Sequence, residues 1–182
     1  MIYNVAQLLK APVGARMDVE LDDADALELK DQEAELAGPV TGHVRLHRTN
    51  QGIYADGTVS VPVHLQCTRC LKDFTATVTF PLREEYYPTI DVNTGLPVTE
   101  PHDPDTEFPI DRHHEIDLRE AIRQNLVLAL PIQTLCREDC AGLCPQCGKD
   151  LNEGPCDCQA EETDERFSAL RQLLVQPEAS EA

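Results

Sequence analysis

Apolar and polar residues alternate with period two over three long stretches of the chain. Val40, Gly42, Val44 and Leu46 are separated by Thr41, His43 and Arg45. Val59, Val61, Val63 and Leu65 line one side of the next stretch, and Phe74, Ala76, Val78, Phe80 and Leu82 alternate with three threonines in the third. Such alternation sends one set of side chains into a core and the other into water, so it predicts half-buried strands. Met17, Val19 and Leu21, with Asp18 and Glu20 between them, predict another strand nearer the N-terminus. The turn Asn50-Gln51-Gly52 and the short links between stretches make an antiparallel meander the economical topology.

The period changes to a helical one at two places. Residues 2–10 predict a short helix with Val5, Leu8 and Leu9 on one side, ended by Pro12 and Gly14. From Asp117 to Pro131, Leu118, Ala121, Ile122, Asn125, Leu126 and Ala129 share a face. Asp117 is the expected cap of this helix, with Glu120 as its capping-box partner. The last turn, residues 126–130, is apolar nearly all round, which predicts burial on the sheet, with an interface as the alternative. A terminal helix is expected over Ala160 to Val175, with Phe167, Leu170, Leu173 and Leu174 apolar, followed by a disordered tail. The acidic segment 22–35 reads as loop with some helix. Residues 91–117, rich in proline and acid, carry no periodicity and read as linker or long surface loop.

The expected fold is therefore α+β: an antiparallel β-meander packed by a helix, with a C-terminal zinc-ribbon-like cysteine cluster. Residues 1–90 form the sheet region with a C-x-x-C hairpin, and 91–116 the acidic linker. Residues 117–158 carry the covering helix and the cysteine-rich zinc-binding segment, and 159–182 the terminal helix and tail.

Composition narrows the chemistry. The formal net charge is −18, which argues against a broad phosphate-gripping surface. It favours electrostatic steering toward a basic partner, although solubility alone also accounts for it. Local RNA contact through Arg45, Arg48, Arg69 and Lys72 is conceivable, and not favoured by charge. No apolar run of about 18 residues exists to span a membrane. The N-terminus lacks the charged start and long apolar run of a secretory leader. A cytoplasmic location is expected, where closely spaced cysteines favour metal over disulfides.

The eight cysteines are the strongest chemical signal. Cys144-Pro-Gln-Cys147-Gly precedes Cys156-Asp-Cys158, Cys136 and Cys140 lie just upstream, and Cys67-Thr-Arg-Cys70 sits at the predicted hairpin tip. Two residues between cysteines let one tight turn aim both sulfurs at a single ion, which suits tetrahedral Zn²⁺. The simplest division makes one site of Cys144, Cys147, Cys156 and Cys158. The second site then joins Cys67 and Cys70 to Cys136 and Cys140, stapling hairpin tip to helix end; one or two Zn²⁺ ions would be held. Overlapping spacings leave mixed sets open, such as Cys140 with Cys144 and Cys147. Iron–sulfur ligation, a redox pair at Cys67 and Cys70, and free thiols are the competing uses.

Nothing catalytic accompanies the thiols. The six histidines form no H-E-x-x-H, and no nucleophile elbow, P-loop or dinucleotide fingerprint is present. All-thiolate zinc sites are ordinarily closed to substrate.

The hairpin LQCTRCLKDF (65–74), the helix DLREAIRQNLVLALP (117–131) and the following cysteine run CREDCAGLCPQCGKDLN (136–152) with its CDC resemble the bacterial YceD family, which has chloroplast relatives. The resemblance implies a factor needed for accumulation of large-subunit (23S) ribosomal RNA, and hence ribosome biogenesis. It supplies no catalytic residues. The expected function is a non-enzymatic assembly factor that binds a basic ribosomal protein or a pre-large-subunit particle. A zinc–thiol redox switch is the alternative, and a metallohydrolase a more distant one.

Overall fold

The computed structural model describes residues 1–23, 27, 35–98 and 108–158. The meander predicted from alternation forms its centre. Strand β4 (Val40–Arg48) pairs antiparallel with β5 (Ile53–Gln66), which pairs antiparallel with β6 (Asp73–Pro88). Strand β2 (Arg16–Asp23) joins the outer edge of β4. The two-residue strand β3 (Glu35–Leu36) pairs with His64 and Val63 on the same edge of β5 that β4 occupies farther along.

The alternating residues sort as the pattern requires. Val59, Val61 and Val63 of β5 are buried, as are Val44 and Leu46 of β4, while Asp56, Thr58 and His64 face outward. Helix α2 (Arg119–Ala129) lies against β6 and buries Ala121, Ile122 and Leu126. Its Asn125 Nδ2 donates to Glu84 Oε1 at 2.7 Å, so the one polar residue on the packed face finds a partner in the sheet.

Several expectations change. The helix predicted over residues 2–10 is divided into β1 (Ile2–Asn4) and α1 (Ala6–Lys10). Asn4 makes the break: its side-chain oxygen accepts the Ala6 N–H at 3.1 Å, a local turn that competes with helix. Strand β1 instead pairs with β8 (Glu115–Asp117). Within the segment expected to lack regular structure, β7 (Phe108–Ile110) also forms and runs parallel to the end of β6, so the sheet is mixed. Three-residue strands are too short for a period to show in sequence.

The capping box does not form. Leu118 stands at the N-cap, while Asp117 closes β8 and takes the Arg119 N–H at 3.0 Å one residue early. Glu120 turns instead to Arg123 and Gln124. The apolar last turn of α2 is only partly buried, since Leu128 is 84% exposed and Ile132 beyond it fully so. The terminal helix expected over 160–175 lies outside the described residues.

Candidate metal centres

The C-x-x-C at the tip of the β5–β6 hairpin folds as a knuckle. Leu71 N donates to Cys67 O at 2.9 Å, and Cys67 N donates to Lys72 O at 2.9 Å. The second C-x-x-C repeats this arrangement. Gly148 N donates to Cys144 O at 2.9 Å, and Cys144 N to Lys149 O at 2.8 Å. In both, the residue after the second cysteine adopts a left-handed backbone: φ is 58° at Leu71 and 71° at Gly148. Glycine does this without steric cost, whereas leucine stores strain. The first knuckle therefore keeps its shape against a local penalty, which the surrounding contacts must offset.

Those contacts come from the chain beyond α2. Thr68 N donates to Thr134 O at 2.8 Å, and Thr134 Oγ1 donates back to Gln66 O at 2.5 Å. Arg69 reaches the Cys140 carbonyl at 3.0 Å. The helix end is thus laced to the hairpin tip, and Cys136 and Cys140 arrive opposite Cys67 and Cys70. The Cys67 and Cys140 sulfurs stand 3.8 Å apart, and those of Cys70 and Cys136 3.7 Å. Cys144, Cys147, Cys156 and Cys158 assemble separately, and within each group of four all sulfurs lie within 4.8 Å of one another.

These distances carry chemical information. A disulfide would require about 2.05 Å, and all eight thiols are free. Four sulfurs at about 2.3 Å from a central zinc would stand about 3.8 Å apart at tetrahedral angles. The donor set and the spacing in both groups therefore fit a four-thiolate ion. In the first centre Cys67, Cys70 and Cys140 are buried, with Phe74, Leu135 and Leu143 packed around them. In the second, only Cys144 is buried.

The thiols are electrostatically uneven. Burial acts to raise Cys67, but backbone N–H groups of Cys70, Cys136 and Arg69 outweigh it and bring the thiol down to about 6. Backbone N–H groups of Cys147 and Gln146 likewise bring Cys144 to about 6. Asn152 is the first cause of the lowered Cys140. Desolvation and the neighbouring sulfurs push Cys136 up to about 12, and the Cys147 sulfur, then desolvation, do the same to Cys158. Each cluster thus gives up an early proton readily and resists the last, a penalty that a central cation offsets.

The four cations considered for RNA contact are all engaged within the fold. Arg45 pairs with Asp18 at 2.7 Å. Arg48 holds the carbonyls of Leu9 and Gly52, Arg69 that of Cys140, and Lys72 pairs with Asp150 and Glu153 at 2.7 and 3.1 Å. Their sequence positions revealed the charges but not the partners. Thr134, which laces the chain beyond α2 to the hairpin tip, and Asn152, which reaches Cys140 from the second knuckle's loop, carried no signal in the sequence, because an asparagine or threonine in a loop is ordinary.

A mixed β-sheet covered by helix α2, with eight free thiols gathered into two tetrathiol clusters, defines the molecule as a protein with two candidate metal-knuckle centres. Comparison with known sequences places it further. The chain belongs to the YceD family, described as "Large ribosomal RNA subunit accumulation protein YceD", whose pattern matches residues 55–174. Uncharacterized proteins of Mycobacterium tuberculosis and Mycobacterium bovis are each 32% identical over 133 residues, 72% of this chain. That match covers 60% of the length of those relatives. The chloroplastic "Large ribosomal RNA subunit accumulation protein YCED homolog 1" of Arabidopsis thaliana is 37% identical over 67 residues, 37% of this chain and 21% of the relative. No solved structure matches the chain significantly.

Proposed function

We propose that this protein is a non-catalytic, cytoplasmic ribosome-biogenesis factor that supports accumulation of 23S ribosomal RNA. Its two tetrathiol centres hold one Zn²⁺ each: Cys67, Cys70, Cys136 and Cys140 in the first, Cys144, Cys147, Cys156 and Cys158 in the second. The observation that carries the reading is the family match over residues 55–174, which takes in both knuckles and the covering helix. The zincs are structural, since four thiolates leave no coordination position for water or substrate. The role of the first is to fix the hairpin tip against the end of α2.

The partner is a basic ribosomal protein or a pre-large-subunit particle. A net charge of −18 favours a basic protein surface over naked RNA. The internal engagement of Arg45, Arg48, Arg69 and Lys72 supports the same choice. Depletion of the protein tests this: the ratio of large- to small-subunit ribosomal RNA should fall, and wild-type protein should restore it. An unchanged ratio would refute the reading. Ribosomal proteins captured only while RNA is intact would refute direct protein binding.

A further inference from the structure

The two cysteine clusters are not independent of each other. The loop of the second knuckle, residues 142–153, folds back onto the first. Leu143 N donates to Arg69 O at 3.2 Å, and Leu151 N to Gly142 O at 2.9 Å. Lys72, next to the first knuckle, pairs with Asp150 at 2.7 Å and Glu153 at 3.1 Å. Asn152 lies where these contacts converge. Its Oδ1 accepts Ala141 N at 2.8 Å and the Arg137 guanidinium at 2.6 Å. Its Nδ2 donates to Asp150 Oδ1 at 2.7 Å and also points at the Cys140 sulfur at 3.4 Å.

We propose that Asn152, carried by the loop of the second centre, is a positioning residue for the metal of the first, so that the second centre raises the first centre's zinc affinity. The inference rests on the reading of both clusters as zinc sites. An N–H donated to a metal-bound thiolate spreads its charge and fixes its lone pair, and such outer partners typically change metal affinity by 10- to 100-fold. Asn152 supplies this hydrogen bond only while its loop is held in place. The segment from Leu143 to Asp150, closed as a small antiparallel bridge, contains Cys144 and Cys147. An ion at the second centre holds that bridge shut, and Oδ1 locks the amide orientation so that Nδ2 faces the sulfur. The coupling is reciprocal: an ion in the first centre orders Cys140 and favours the docked loop.

Zinc titration of the full chain against a chromophoric chelator tests this, with four proteins compared: wild type, Asn152→Asp, the Cys144→Ser/Cys147→Ser double variant, and the two changes combined. Asn152→Asp keeps the Oδ1 acceptor but puts a carboxylate where the donor was. It should weaken the first centre about 10-fold or more. Disabling the second centre should weaken the first by a comparable factor, and combining both changes should add little. ¹¹³Cd substituted into Asn152→Ala supplies a signature that general loosening would not produce: the first centre's cadmium resonance should shift and the second's stay. Two zincs bound with first-centre affinity unchanged by either alteration would overturn the coupling while leaving the zinc reading intact. A wild-type protein that binds no zinc would overturn both.

Discussion

Gly142 stands where the loop of the second knuckle passes over the hairpin tip, and substituting it isolates the contact between them. Its φ is +76°, and a Cβ built there would lie 3.0 Å from Arg69 O and 3.3 Å from Arg69 Cβ. Gly148 and Gly95 provide matched comparisons, with φ of +71° and +70° and nothing within 4 Å of the added Cβ. In all three, alanine incurs left-handed strain of about 1–2 kcal/mol, partly offset by about 0.4–1 kcal/mol from a less mobile unfolded chain. Gly148→Ala and Gly95→Ala should therefore each cost no more than about 1.6 kcal/mol. Gly142→Ala carries the same backbone cost plus a contact with a carbonyl already accepting the Leu143 N–H at 3.2 Å. Relieving that contact means lifting the loop, which costs about one hydrogen bond more, roughly 1 kcal/mol. Urea unfolding of the zinc-loaded proteins gives the three differences. Gly142→Ala indistinguishable from Gly95→Ala would refute the view that loop and hairpin tip are tightly apposed.

Other consequences are open to measurement. Leu126→Ala, at the fully buried centre of α2, should cost about 2–5 kcal/mol in chemical unfolding, because the sheet beneath cannot collapse onto the void. Lys72 is held above its ordinary pKa of 10.5 by Asp150 and then Glu153, and Asp150 below its ordinary 3.8 by Lys72. A raised lysine contributes stability below its unfolded pKa, and a depressed carboxyl above its own. Lys72→Met should thus lower the melting temperature by the same amount at pH 6 and pH 9, and a difference between the two would contradict the pairing. Because Arg45 is already paired with Asp18, Arg45→Gln should leave RNA capture by the protein unchanged in a filter-binding assay at low salt.

The centre of the fold was legible because β4, β5 and β6 each bury one face and show the other to water, which writes period two into the sequence. The two groups into which the sulfurs gather are those of the simplest division, but the overlapping spacings did not exclude a mixed set such as Cys140 with Cys144 and Cys147. What could not be read is equally physical. Strands β1, β7 and β8 are three residues each, and their pairings depend on where α2 and β6 place them. The capping box failed because Asp117 was claimed by the sheet. Leu71 gave no hint of its left-handed backbone, which follows from the knuckle geometry rather than from the residue. Asn152 acts through a fold-back contact that no local pattern encodes.

Native mass spectrometry of the purified chain at saturating zinc tests the central claim most directly. Two zincs per wild-type chain are expected, with one retained by Cys136→Ser and one by Cys147→Ser. A wild-type chain carrying one zinc or none would contradict the account of two tetrathiol metal centres.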